Sequence, residues 1–287
     1  MPSVSPLLHT AVRNTRRVRG RVKISSARVD GLAPTAVVTA IKQAAFGRPN
    51  AEERAWIKRI ELMRALLLTS PAPSEIIDFG AGTAHQFDTG AALTKNTVTK
   101  TLGAMTTSSK PPRWAYLLFR LVRELRPQSV LEMGACVGIS ASYEAAALEL
   151  NGAGRLLTLE GADVLADRSA QTLGELNLGH RAEVRLGQFA DTIEPASAEL
   201  SPLGFAFIDG HHIESATLAY LEQLLPSMAG EAVFVFDDVN WSDGMRNAWS
   251  TIVDDPRFAL TVDLRSVGIA VVSKSATGRH SLDVPYY

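Results

Sequence analysis

Cysteine is almost missing: Cys136 stands alone in 287 residues, which excludes an intrachain disulfide and suits a reducing, cytoplasmic setting. Long hydrophobic runs are missing too. No stretch reaches the ~18 apolar residues that a membrane-crossing helix needs, and no secretory hydrophobic region opens the chain. Net charge is close to nil, −1 from 29 basic and 30 acidic residues, so no nucleic-acid partner is expected. Acidic residues are lacking only locally. None precedes Asp30, whereas Arg13, Arg16, Arg17, Arg19, Arg21, Lys23 and Arg28 all do. An organelle transit sequence, an arm for an acidic partner and a solvated tail share that composition, and a basic flexible arm over residues 1–30 is the expectation. Internal repeats and low-complexity tracts are absent.

What is present is an ordered alternation. From Pro34 the positions Ala36, Val37, Ala40 and Ile41 share a helical face, and Gly47-Arg-Pro-Asn50 breaks the run. A second helix is expected over 51–69, with Trp56, Ile60, Met63 and Leu67 on one side and Pro71 and Pro73 as its stop. These helices read as a cap or a homo-oligomer surface within a segment 31–112. Ile76-Ile-Asp-Phe-Gly-Ala-Gly-Thr83 imitates a strand and glycine turn. The Thr-, Ser- and Lys-rich residues 84–109 that follow lack the apolar helix a nucleotide turn requires, so they read as a lid. Lys110 then either meets a carboxylate or is solvated, with solvation the expectation.

Beyond Pro111-Pro112, Trp114, Leu117, Leu118, Leu121, Val122 and Leu125 form a helix face that Pro127 ends. Strands near 129–133, 155–160, 182–187, 203–209 and 231–237, mostly separated by helices, imply parallel pairing. The expected class is α/β, a doubly wound, mostly parallel, Rossmann-like sheet over 113–287. Phe258–Leu264 and Val267–Val272 are too close for a crossover and should form a C-terminal antiparallel hairpin at the sheet's edge.

In such sheets ligands bind beyond the carboxyl ends of the strands. The first strand ends in Glu132, Gly134, Ala135, Gly138 and Ser140, with a helix following. Three residues separate the glycines and the acid precedes them, which is not the dinucleotide fingerprint. An acid facing the turn suits a cofactor with an ammonium group. Glu160, with Gly161 beside it, ends the second strand 22 residues after Gly138, where a carboxylate can accept ribose hydroxyls. Gln188 and Phe189 follow the third, placed for the edge and face of an adenine ring. Asp209 closes the fourth strand and Asp237-Asp238 the fifth. Converging, they would hold Mg²⁺ or Ca²⁺; otherwise they cap helices or touch the cofactor.

The segment from about Trp114 to Ser273 resembles the class I S-adenosylmethionine-dependent methyltransferases, in their small-molecule O-methyltransferase-like branch. The resemblance rests on Val130-Leu-Glu-Met-Gly-Ala-Cys-Val-Gly-Ile-Ser140, Phe207-Ile-Asp-Gly-His-His212 and Val235-Phe-Asp-Asp-Val239 with Trp241 following. It implies that Glu132 to Ser140 hold the methionine part, Glu160 the ribose, and Gln188-Phe189 the adenine side. Metal-dependent catechol and sugar O-methyltransferases carry acids at the Asp209 and Asp237 stations. Catechol-type members commonly show Asp-Asn at the second, where this chain has Asp-Asp.

His212 matches the family's histidine after Ile-Asp-Gly, and His211 departs from the pattern. His212 would be the general base for a small-molecule hydroxyl, with Asp209 beside it; a structural or lid-contacting histidine is the alternative. Cys136 occupies a turn that needs a small side chain and is no nucleophile. Trp241, Ser242 and Met245 either line an acceptor pocket or pack in the core. The rival readings are an NAD(P)-dependent Rossmann oxidoreductase and a non-catalytic cofactor-binding or regulatory protein.

Overall fold

Local chemistry sets most element boundaries in the computed structural model, which describes residues 20, 22–78 and 96–285. Helix α1 spans Leu32–Phe46 and buries Val37, Ala40 and Ile41. Helix α2, Ala51–Leu68, opens on a reciprocal cap. Asn50 accepts from the Glu53 N–H at 2.9 Å, and the Glu53 carboxylate accepts from the Asn50 N–H at 3.0 Å. Strand β1, Pro73–Asp78, pairs antiparallel with β2, Asn96–Thr101, in a two-stranded sheet apart from the main one. A nucleotide turn has to grow out of the main sheet, so the strand half of the 76–83 segment is in the wrong place for one. Its glycines, and residues 84–95 of the expected lid, lie outside the described residues. Helix α3, Leu102–Thr106, and helix α4, Pro112–Leu125, with proline in its first turn, complete the approach.

The remaining elements alternate as the punctuation of the sequence suggests: β3 Ser129–Met133, α5 Ile139–Asn151, β4 Arg155–Glu160, α6 Asp163–Glu175, β5 Ala182–Leu186, α7 Phe189–Leu200, β6 Leu203–Ile208, α8 Glu214–Leu224, β7 Met228–Asp237, α9 Asp243–Asp254, β8 Leu260–Asp263, β9 Val267–Ser273 and β10 His280–Asp283. The eight-stranded order is β10-β8-β9-β7-β6-β3-β4-β5. Strands β3 to β7 pair in parallel, and β9 runs antiparallel to both β7 and β8. The hairpin is therefore real, but it is not the edge. Strand β10 pairs parallel with β8 outside it, a four-residue element too short to read from periodicity. From β3 the chain winds outward to β4 and β5, then returns to β6 on the other side. That reversal opens the crevice between the carboxyl ends of β3 and β6.

Strand alternation sorts the core into two faces. Leu131, Met133, Leu157, Leu159, Ala206, Ile208, Phe234 and Phe236 pack with residues of α7, α8 and α9. Val130, Leu156, Phe205, Phe207, Val233 and Val235 face the other way, against residues of α1, α2, α4 and α5. By the same alternation Glu132 and Thr158 belong to the second face, as do the strand-end positions of Asp209 and Asp237. The two N-terminal helices thus share one hydrophobic cluster with the sheet.

Where it is described, the stretch before α1 is docked rather than loose. A helical turn over 22–26 buries Ile24, and the Asp30 carboxylate accepts from the Thr277 N–H and hydroxyl. Most of the basic arm, residues 1–19, lies outside the described residues. Among those described, no helix is long and apolar enough to cross a membrane.

Candidate active site

The turn between β3 and α5 is built from backbone that only certain residues tolerate. Gly134 has φ 102°, and a Cβ there would lie 2.2 Å from the carbonyl oxygen of Asp209. Gly138 has φ 83°, and its Cβ would meet the Ser169 hydroxyl at 2.8 Å. Glycine at these two positions lets β3 close against the end of β6 and the helix start against α6. Cys136 sits between them with φ 49°. Burial pushes its thiol up to about 12, with the Glu160 charge adding to the shift. That leaves it an unreactive thiol at neutral pH.

Glu132 is fully buried at the end of β3. Its register partner on β4 is Thr158, whose hydroxyl donates to Oε2 at 2.6 Å. Oε1 has no partner. Burial raises the carboxyl to about 7; the nearby Ser140 hydroxyl and the hydrogen bond from Thr158 pull it down, and the charges of Asp209 and Glu160 push it up. A second acid, Glu144 on α5, is equally buried, with both oxygens unpartnered, and burial and Glu132 raise it well above the carboxylate range. Together they place two buried acids behind the turn, where burial favours the protonated form.

Glu160 ends β4 facing the same turn. Its carboxylate accepts from the Cys136 N–H at 2.8 Å and from the Ala162 N–H at 3.0 Å. Burial raises its carboxyl while these amides lower it. Each oxygen retains acceptor capacity, as a vicinal diol requires. Gly161 stands between Glu160 and Ala162 in this loop. The two residues after the β5 turn differ in exposure. Gln188 is exposed at the start of α7, whereas Phe189 packs edge-on to His211 and Tyr220, with centroids at 5.3 and 5.8 Å. A Cβ on Gly210 would lie 2.4 Å from the Phe189 ring. The phenyl ring thus supports the loop after β6.

That loop carries the two histidines. His211 and His212 are both left-handed, with φ 60° and 45°. His211 turns inward and its Nδ1 pairs with the Tyr220 hydroxyl; burial first, then the neighbouring His212, lowers its pKa. His212 turns back, with Nε2 3.5 Å from Asp209 Oδ1. The other Asp209 oxygen faces Lys110 Nζ at 3.3 Å, and Lys110 also donates to the Asp237 carboxylate. The expectation of a solvated Lys110 is corrected here. Its ammonium bridges two strand-end acids, one of them, Asp237, only 3 % exposed.

The expected metal set of Asp209, Asp237 and Asp238 is also not what assembles. Asp209, His212 and Asp237 each bring a ligand atom within 4.8 Å of the others, and Asp238 is not among them. Asp238 follows Asp237 with φ 51°, and that left-handed turn breaks the strand geometry. The donors have suitable chemistry for Mg²⁺, but an ammonium already stands against two of the three. The residues as arranged do not fit a divalent ion. Of the proposed acceptor-lining residues, Ser242 caps α9 by accepting from the Met245 N–H at 3.1 Å, and Met245 is buried. Trp241 remains 53 % exposed.

Residues 131–239 match a family described as a methyltransferase domain. The matched residues run from β3 to the end of β7 and include the glycine turn, Glu160, the histidine loop and Asp237. The domain's fold is shared with solved structures of low identity. An O-methyltransferase from Bacillus cereus in complex with SAH aligns at 21% identity and TM-score 0.54, covering 84% of this chain and 100% of that one. The cofactor-bound protein Rv0187 from MTB aligns at 18% and 0.51, covering 82% and 95%. An SAH-bound methyltransferase from Podospora anserina aligns at 14% and 0.50, covering 59% and 81%. No curated protein matches the chain in sequence.

Lys110 and Tyr220 were missed as parts of the site. Lys110 was noticed, because it precedes a proline pair, but nothing local names its partners. Tyr220 lies inside an amphipathic helix and carries no signal of its own.

Proposed function

We propose that this chain transfers a methyl group from S-adenosylmethionine to a hydroxyl of a small molecule. The observation that carries the reading is Glu132: a fully buried carboxylate with Oε1 unpartnered, on the strand that leads into a turn whose glycines admit a ligand's backbone-close approach. An ammonium group completes it. Gly134, Ala135, Gly138 and Ser140 would border the methionine part, Glu160 and Gly161 the ribose, and Gln188 with Phe189 the adenine side. When bound, S-adenosylmethionine supplies a methyl on a sulfonium, ready for attack by an oxygen.

The chain's part is to position the acceptor and take its proton. His212, oriented by Asp209, would be the base that takes the hydroxyl proton as the acceptor oxygen gains the methyl group. The wide glycine spacing and the preceding acid weigh against a pyrophosphate, hence against NAD(P). A purely binding module would have no use for a histidine held by an aspartate. The free cysteine suits a cytoplasmic setting. The exposed Leu62 and Leu66, one turn apart on α2, support a homo-oligomeric contact there.

Calorimetric titration of the apoprotein with S-adenosylhomocysteine and with NAD⁺ tests the reading. One site for the first and none for the second is expected. Binding of NAD⁺ alone would overturn it. Screening hydroxylated metabolites for S-adenosylhomocysteine release then identifies the acceptor.

A further inference from the structure

Methyltransferase sites with acids at the ends of β6 and β7 invite a divalent ion, and this one already contains a cation. Lys110 Nζ donates to Asp237 and lies 3.3 Å from Asp209 Oδ2, and its side chain is only 13% exposed. Asp237 has its side chain 2% exposed. Such a buried carboxylate demands a positive partner. The lysine is delivered there by construction. It directly precedes Pro111, which starts α4, and α4 is fixed by Leu117, Leu118, Phe119, Leu121 and Val122 in the core. A residue before proline is held extended, so the backbone at Lys110 has little freedom to withdraw.

We infer that Lys110 is the resident cation of this site and takes the place of a divalent metal, so that methyl transfer by this chain needs none. The inference rests on the reading of the crevice as a methyltransferase site. Its electrostatic basis is simple. One ammonium balances one of two facing carboxylates, and the net −1 that remains is a weak attraction for a hard dication that would also have to displace Nζ. His212 then stays free of metal and keeps Nδ1, the nitrogen not turned to Asp209, for the acceptor's proton. The lysine also fixes the Asp209 oxygen opposite the one that orients His212.

The test is direct binding of Mn²⁺, followed by the electron paramagnetic resonance signal of the free ion, with no turnover required. Wild-type protein should leave Mn²⁺ free across the range in which Lys110→Ala takes up one ion per chain, an affinity gain of at least about a hundredfold. Asp237→Ala in the Lys110→Ala background should abolish that uptake. One tightly held Mn²⁺ per wild-type chain, displaced by Mg²⁺ and lost in Asp237→Ala, would overturn the inference. So would a folded Lys110→Ala protein with no gain in affinity. Should circular dichroism show that the alanine variant is unfolded, Lys110→Gln, neutral and of similar length, replaces it, and the wild-type titration still decides. S-adenosylhomocysteine binding, measured separately on the same wild-type sample, reports the underlying reading: its loss would sink the methyltransferase assignment whatever Mn²⁺ does.

Discussion

Glu132→Gln separates the roles that burial and charge give this carboxylate. Its carboxyl rises from an ordinary 4.5 to about 7 in the folded protein, chiefly through burial. A raised carboxyl favours the folded state below the unfolded pKa, and that contribution is lost as pH rises through the folded one. Wild-type protein should therefore shed about 3 kcal/mol between about pH 4.5 and 7, at about 1.4 kcal/mol per unit. Glutamine cannot titrate. It keeps an acceptor for the Thr158 hydroxyl but buries an N–H without a partner, which costs about 1–3 kcal/mol at every pH. Glu144 is present in both proteins and largely cancels. The expected result is a difference in Tm that moves in favour of the variant as pH rises from 5 to 8, by about 5 °C or more. Ligand binding gives a second readout. An ammonium placed at Oε1 favours the ionised acid, so S-adenosylhomocysteine should release a proton near pH 7 in wild type, seen as a buffer-dependent binding enthalpy. The variant should release none there and bind about 10- to 100-fold more weakly, the range for one hydrogen bond to a charged group. A Tm difference flat in pH would refute the titration, and undiminished affinity would refute the ammonium contact.

His212→Ala should lower turnover by about 10²- to 10⁴-fold, the usual worth of a general base, while S-adenosylhomocysteine affinity changes little; parallel calorimetry and product assays check the split. Gly134→Ala forces a side chain onto φ 102° and against the Asp209 carbonyl at 2.2 Å, so thermal denaturation should show a loss of at least about 1–2 kcal/mol together with weakened ligand binding. Arg120→Ala removes the nearer of two guanidinium partners of Glu53, which is 4 % exposed and bonded to Arg120 at 2.8 Å between α2 and α4, and leaves Arg123 Nε at 3.5 Å; urea unfolding should register about 1.5–3 kcal/mol of destabilisation.

Periodicity and punctuation made the sheet legible because each strand is a short apolar run and each helix has a stop nearby. The five parallel strands and the β8–β9 hairpin fall close to where the residues placed them. Strand β10 was not legible, since His280-Ser-Leu-Asp283 has one buried-type side chain and gains its order only from β8. At the site, Glu132, Glu160, Asp209 and His212 could be named because strand ends are marked by acids and glycines. What the sequence does not encode locally is the face. Whether Asp238 or Asp237 turns into the crevice depends on a left-handed residue at 238, and the contact of Phe189 with Tyr220 depends on how closely Gly210 lets the ring approach that loop. Both are decided by packing between elements far apart in the chain.

The same reasoning explains why the counter-charge of the site comes from outside the matched residues. Glu132, Asp209 and Asp237 all lie on the sheet face that α1, α2, α4 and α5 cover. A cation for them has to arrive from that side, and the matched stretch begins only at residue 131. Lys110 meets the requirement because it stands at the start of α4, one of the helices on that face. The lysine's position is then only as firm as α4, and α4 is tied to α2 through Arg120 and Glu53 and to α1 through the shared core. A chain beginning at residue 113 would keep the glycine turn and every acid of the crevice but not the ammonium between Asp209 and Asp237. The N-terminal helices therefore contribute to the site through charge placement, and loosening them should disturb the Asp209–His212 pair before it disturbs the glycine turn.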